Sequence, residues 1–517
     1  LLGRTGLVAV YAGLSAAVLV PIFAVQVPCL GDYLNHLARI SIMGKLGASP
    51  AIDAFYQARW KFVPYYGMDI PVIALSRVMG IYAAGRVFAG VCLLMPVAAA
   101  AVLRRVVVGR SGLMPVGAFL FCYNYMFERG LFPYLFTVGL AIMLFAAWIA
   151  TVDWPRWKRA AVFAAGALVV YLGHAFGFAT YCILVGGFEL GWAWQARFRP
   201  RGEVVGRLAA AVAQAVPALL IGALLGGNEN ISAASFTRYG DFADKLGAAL
   251  SPLYFPGGIA TALLVVFVAV CGAVFGRRAG IAPALRGPVI AVGVVAALTP
   301  RILFNIWGGD LRLPLVLVIV VLAGLVPGPR VGRRSAGVLL AACMTLVMLR
   351  AGEAWALLRA LDGQVEGVRD VVGALPQGKR LLVVELAGAG AGRVAPTAMT
   401  GHLAMVAVID RDAFVPYLFI GNTPVVPRAG LRDSSSSISS AIDLGQLWDG
   451  YKRGDPPGGA PVFGWGGRMY WLGWVGKFDY VLVEHFGAAV GGLPGVLRRV
   501  SKGAVADLYA VDGGAGR

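Results

Sequence analysis

Charge is scarce in this sequence, and negative charge scarcer still. Of 517 residues only 14% are Asp, Glu, Lys or Arg, with 26 acidic against 45 basic. So few polar groups cannot solvate a soluble chain of this length, and the 59% hydrophobic content is that of a multi-span membrane protein. Cysteine is also sparse: Cys29, Cys92, Cys122, Cys182, Cys271 and Cys343 show no metal-ligand spacing, and five lie inside apolar runs. The long C-terminal region has no cysteine, which excludes a disulfide framework there. There is no Walker-type glycine-rich loop, no H-E-x-x-H and no G-x-S-x-G. Mid-span charge is almost absent, with Glu189 the main exception, whereas a proton or ion transporter carries ionisable groups near the midplane.

The formal net charge of +19 invites a nucleic-acid partner, but the basic residues cluster in short stretches between apolar runs. That is how cytoplasmic loops of membrane proteins are built, so no nucleic acid is expected. Apolar runs of spanning length fall at about 6–27, 82–103, 112–127, 130–151, 208–227, 257–276, 283–300, 311–327 and 335–352. The run 160–195 is read as two spans with a tight turn at Gly173-His174, giving about eleven. With the N-terminus in the cytoplasm, the basic loops 104–110, 156–159, 197–207, 277–286 and 330–334 all fall on the cytoplasmic side. The first run is too long for a signal peptide and is read as a retained helix. The lack of an initiator Met suggests that residues preceding Leu1 were removed or are unresolved.

The expected fold class is a polytopic α-helical membrane protein with a C-terminal extracytoplasmic α/β domain. Residues 1–352 form the transmembrane domain, with a long first outer loop at 28–81, and residues 353–517 the soluble one. Val365 to Leu375 has helical periodicity. Arg380 to Glu385, Met405 to Ile409, Tyr480 to Glu484 and Ala506 to Val511 read as strands, and Ser434 to Ser440 as a low-complexity loop. The 70 glycines are assigned to helix packing and to soluble loops.

The unusual polar residues gather at the outer ends of spans. In a helix, Asp32, His36 and Arg39 stand at i, i+4 and i+7 and share one face. Asp69, Glu128-Arg129, His174, the segment carrying Arg238, Asp241, Asp244 and Lys245, and Arg301, Asp310 and Arg312 complete the outer set. An acid can act there as general base, and arginines can hold a phosphate bidentately, which suits a lipid-borne substrate. Each residue also has a structural reading. The triad is then a solvated interfacial turn, Asp69 a cap for a helix beginning near Ile70-Pro71, His174 a satisfied buried histidine, and Asp310 and Arg312 an ion pair at a helix end. Asp410-Arg411-Asp412 matches the D-x-D of metal-bound nucleotide sugars over three residues only.

Several stretches, scattered over nearly the whole chain, carry a resemblance. They are Gly31 to Arg39, Gly67-Met68-Asp69, Tyr123-Asn124-Tyr125 with Gly130-Leu131-Phe132, Gly173 to Phe176, Asp310 to Pro314, and Phe478 to Val483. Together with the layout, they resemble the GT-C glycosyltransferases of the protein mannosyltransferase and aminoarabinose transferase type, and most closely a bacterial multipass group of that superfamily. The resemblance implies sugar transfer from a polyprenyl-phosphate carrier to an acceptor outside the cytoplasm, at the bacterial inner membrane. It implies that Asp32 is the general base, with His36 its orienting or metal-binding neighbour. Arg39, Arg129 and Arg312 are candidates for the phosphate, and Asp69, His174 and Asp310 line the substrate. Many relatives place two acids close together in the first loop; here Asp53 and Asp69 are well separated from Asp32. No cofactor follows beyond a divalent metal ion, for which Asp32 and His36 supply two ligands at most. The expected partners are the sugar lipid, membrane lipids and a protein bound through the C-terminal domain. The rival classes are a non-catalytic scaffold that keeps the fold and binds a partner protein, and a lipid transporter.

Overall fold

The computed structural model describes residues 3–513 apart from 110–111, 196–199, 226–235, 276–278, 328–331, 387–396, 420–422, 437–440 and 455–468. Parts of the basic loops (Arg197, Arg199, Arg277, Arg278, Arg330), of the outer segment 228–256 and of the serine-rich loop lie outside the described residues. The chain packs into two compact units. One comprises Leu1–Ala24, Phe62–Ile70 and Val87–Ala356; the other comprises Val25–Lys61, Pro71–Arg86 and Leu357–Arg517.

The first unit is helical. Among the described residues, six helices are long and apolar enough to cross a membrane: Arg4–Phe23, Ile81–Val108, Phe132–Ala150, Ala175–Gln195, Arg201–Leu225 and Arg334–Val372. Shorter apolar helices, such as Pro283–Leu298 and Gly309–Gly324, fill the other expected runs. The helix Ile259–Phe275 leaves Ile259, Leu263, Val266 and Val270 exposed along one stripe, as lipid contact requires. The run 112–127 is the exception. It forms a 3-10 helix, Met114–Phe121, and one turn, Tyr125–Glu128. Pro115 starts the first piece, and Asn124 starts the second by accepting from the Met126 and Phe127 N–H groups at 2.9 and 3.2 Å. The run 160–195 does divide at His174, whose backbone is extended between Arg156–Gly173 and Ala175–Gln195.

Small residues let two of these helices touch. Gly187 and Gly191 on Ala175–Gln195 face Gly287 and Pro288 on Pro283–Leu298, and a Cβ at Gly287 would run into the Gly187 carbonyl. Glu189, between those glycines, is fully buried and neutralised on three sides. It accepts from Trp148 Nε1 at 2.8 Å and pairs with Arg159 at 3.2 Å and Arg207 at 2.7 Å. The one conspicuous mid-span acid is therefore a packing device.

The second unit is built on a five-stranded sheet in the order Leu497–Lys502, Ala506–Val511, Tyr480–Glu484, Leu381–Glu385, Ile442–Asp443. Two of the three inner strands, Tyr480–Glu484 and Leu381–Glu385, run parallel in the register Leu381↔Tyr480 to Glu385↔Glu484. Both are buried almost end to end, which explains their unbroken apolar sequences. Met405 to Ile409 is helical instead, split between Leu403–Met405 and Val406–Arg411. The segment is buried on every side, so its composition carries no period that separates helix from strand. First-loop elements complete this unit. Tyr56–Ala58 pairs antiparallel with Val425–Pro427, and the Asp362 carboxylate accepts from the Gln26 and Val27 N–H groups at 3.0 Å each.

The glycine contact yields a test. Gly287→Val forces apart two backbones already in contact and should destabilise the protein by about 1–3 kcal/mol. Gly293→Ala, on the same helix but facing open space, should be neutral or slightly stabilising. Thermal unfolding in detergent, read by helical circular dichroism, compares the two.

Candidate active site

The eight candidate residues fall into two groups, one in each unit. In the second unit, Gly31 takes a positive φ of 30° and feeds the helix Tyr33–Lys45, with Asp32 at its N-cap position. The His36 N–H donates to the Asp32 carbonyl at 3.0 Å, so the expected i, i+4 relation holds. Burial deepens along the face. The Asp32 side chain is 35% exposed, His36 is buried and Arg39 wholly so. The Asp32 carboxylate does not cap the helix; its Oδ1 lies 3.6 Å from Nε2 of His402. His36 packs edge-on to Phe419 at 5.6 Å between ring centres. Burial, then the Arg39 charge, pushes its imidazole down to about 3, so the ring is neutral at physiological pH.

Sequence reasoning missed His402 and the role of Asn35. The Asn35 Oδ1 accepts from the Phe419 N–H at 2.7 Å, which fixes the amide orientation. Its Nδ2 donates to the Tyr417 carbonyl at 3.1 Å and faces His402 Nδ1 at 3.3 Å. The available signal was rarity, because the chain has four histidines. The D-x-D match is structural. Asp410 accepts from Arg369 and Tyr82, both at 2.9 Å, and Asp412 from Lys45 at 2.6 Å and Ser49 at 2.9 Å.

The first unit holds Asp69, Arg129, His174, Asp310 and Arg312. Asp69 lies in the first turn of the helix Tyr66–Ser76, inside it rather than at the cap expected from the sequence, and is fully buried. That turn presses on the break at His174: a Cβ at Gly67 would lie 2.8 Å from both the Gly173 carbonyl and the Thr137 hydroxyl. The His174 ring sits 5.6 Å from Tyr134 and 6.2 Å from Tyr65, and its Nδ1 accepts from the Phe176 N–H at 3.1 Å. The Tyr134 hydroxyl donates to the Arg312 carbonyl at 2.6 Å.

Arg312 is held in turn. Its guanidinium stacks 4.3 Å from the Phe176 ring centre and donates to the Trp307 and Gly308 carbonyls at 2.9 and 2.7 Å. Arg129 lies over the Trp307 ring at 4.7 Å and is only half-buried. Stacking on Trp307 holds the plane of its guanidinium. Asp310 does not form the expected helix-end pair with Arg312. Its partners are Arg301 at 3.3 Å and Lys245 at 3.7 Å, and Arg301 also pairs with Asp244 at 2.7 Å. Glu128 is buried beside Arg129; burial pushes its carboxyl up to about 7, with the Arg129 charge pulling the other way by less.

The fold is a bundle of apolar helices with a C-terminal sheet domain. It is similar to two solved structures of ArnT from Cupriavidus metallidurans. One, bound to undecaprenyl phosphate, aligns over 98% of this chain and 98% of its own at a TM-score of 0.53 and 11% identity. The other, in the apo state, aligns over 98% and 97% at 0.53 and 12% identity. The likeness is one of fold. No family model matches the sequence, and no curated protein does.

Glu128 supplies a pH test. Its carboxyl titrates near 7 when folded against an ordinary 4.5, so the folded state holds the proton more tightly. Stability should therefore fall as pH rises from about 4.5 through about 7. Glu128→Gln should flatten that fall, read as the difference in thermal midpoint between pH 5 and pH 8.

Proposed function

We propose that this protein is a polyprenyl-phosphate-dependent glycosyltransferase, moving a hexose or pentose to a hydroxyl acceptor on the extracytoplasmic side of a bacterial inner membrane. The observation that carries the reading is the full-length likeness to a fold solved with undecaprenyl phosphate bound. The N-terminus is then cytoplasmic and the C-terminal domain periplasmic, in agreement with the basic loops.

Asp32 is the general base. It takes the acceptor hydroxyl proton as the acceptor oxygen bonds to the anomeric carbon. The bond from that carbon to the carrier phosphate oxygen breaks, and its electron pair leaves with the polyprenyl phosphate. With 35% of its side chain exposed, the carboxylate can be reached by an acceptor. Within the first unit, Arg129 is the arginine best suited to an anion such as a phosphate. Arg312 already serves two backbone carbonyls and Arg39 is wholly buried, whereas Arg129 is only part-buried, with its guanidinium stacked over Trp307.

The residues present do not fit a divalent metal. His36 turns its ring against Phe419, and the hydrogen bonds of Asn35 leave the proton of His402 on the nitrogen facing Asp32, where a metal needs a lone pair. Among the described residues no three His, Cys, Asp or Glu side chains converge. No step above is routed through a metal.

The test uses the full chain in nanodiscs with a panel of undecaprenyl-phosphate hexoses and pentoses, reading release of undecaprenyl phosphate by mass spectrometry. Asp32→Asn should lower the rate by about 10²- to 10⁴-fold. Arg129→Ala should weaken retention of undecaprenyl phosphate by about 10-fold or more. Wild-type turnover by Asp32→Asn would remove the base from this reading.

A further inference from the structure

The environment of Asp32 contains a second imidazole whose protonation is fixed by geometry. The Phe419 N–H, which can only donate, sets Asn35 Oδ1 as acceptor at 2.7 Å. Asn35 Nδ2 is therefore the donor, with one hydrogen for the Tyr417 carbonyl and one for His402 Nδ1. A neutral imidazole has one donor and one acceptor nitrogen, so accepting at Nδ1 puts the proton on Nε2. That nitrogen faces Asp32 Oδ1 at 3.6 Å. The ring is steadied by Phe419, edge-on at 5.1 Å between centres, and by Tyr417 at 5.9 Å.

We propose that His402, locked by Asn35 with its proton on Nε2, is the positioning residue for Asp32. This rests on the reading of Asp32 as the base. Nε2 already carries the proton and the Nδ1 lone pair accepts from Asn35, so His402 does not itself deprotonate the acceptor. Its N–H draws Oδ1 and favours the ionised carboxylate. The 3.6 Å separation is longer than a hydrogen bond, and contraction of about half an ångström closes it. Catalytic contacts of this kind are commonly loose until substrate arrives. Asn35 and His402 thus form a relay of orientation: backbone of 417–419, amide, imidazole, carboxylate.

The tautomer can be read without any substrate. Histidine-selective ¹⁵N labelling of the full chain gives four imidazoles, and His402→Gln identifies the signal that belongs to His402. The expected result is a protonated Nε2 and a bare Nδ1. Asn35→Asp keeps the acceptor for the Phe419 N–H but replaces the donor facing Nδ1 with an acceptor, so Nδ1 should gain a proton. A wild-type Nδ1–H tautomer, or an even mixture, would overturn the proposal. In the undecaprenyl-phosphate sugar assay, His402→Ala should lower kcat by about 10²-fold, with KM for the carrier unchanged. His402→Gln, which retains a donor toward Asp32, should recover part of that loss, as a merely structural role would not allow. The two levels fail separately. Full turnover by Asp32→Asn sinks the reading of the base, whereas full kcat in His402→Ala beside an inactive Asp32→Asn sinks the positioning role alone.

Discussion

Backbone carbonyls left without a helical partner have to be satisfied away from water, and in the helical unit arginine does much of this. Arg350 donates to the Tyr123 carbonyl at 2.6 and 2.8 Å and to the Leu253 carbonyl at 2.7 Å. Arg104 reaches the Ala323 and Leu325 carbonyls at 3.2 and 2.8 Å, and Arg312 those of Trp307 and Gly308. Each of these carbonyls lies where regular helix begins, ends or is replaced by 3-10 turn or loop. An unpaired carbonyl in a low-dielectric interior costs several kcal/mol, so non-helical backbone persists there only with such donors. The guanidinium charge is dispersed over several oxygens at the same time. The irregular segments that carry the polar residues of this unit, at 123–131 and 299–308, depend on this arrangement.

The sequence was most legible where one physical signal dominated. Apolar length located the helices, and the single extended residue at His174 was foreseeable because a run of 36 residues is too long for one span. Length misled at 112–127, where Pro115 and the capping Asn124 break the helix despite an apolar composition. Parallel strands showed as unbroken apolar runs, and so did the helix at Val406–Arg411, which no periodicity could separate from them.

For the site, local relations could be read and distant ones could not. The i, i+4 link from Asp32 to His36 follows from helical geometry. The partner that gives Asp32 its setting stands 367 residues beyond Asn35 in sequence, and a single chain contains no pattern that announces such proximity. Residue type alone also failed to rank the arginines. Burial separates Arg39 from Arg129, and two carbonyls separate Arg312 from both.

The antiparallel pairing of Tyr56–Ala58 with Val425–Pro427, like the bond from Asn35 to the Tyr417 carbonyl across 382 residues, has a consequence for biogenesis. The N-terminal segment leaves the ribosome long before its pairing partner exists. Contacts of such sequence separation form late, because the loop between their ends must first be closed. Throughout synthesis of the intervening helices, Tyr56–Ala58 is an open strand edge and the Asn35 amide lacks the carbonyl it will meet. The order of translation thus makes the Asp32 region among the last parts of the protein to mature, and truncation anywhere before about residue 427 leaves it unfinished.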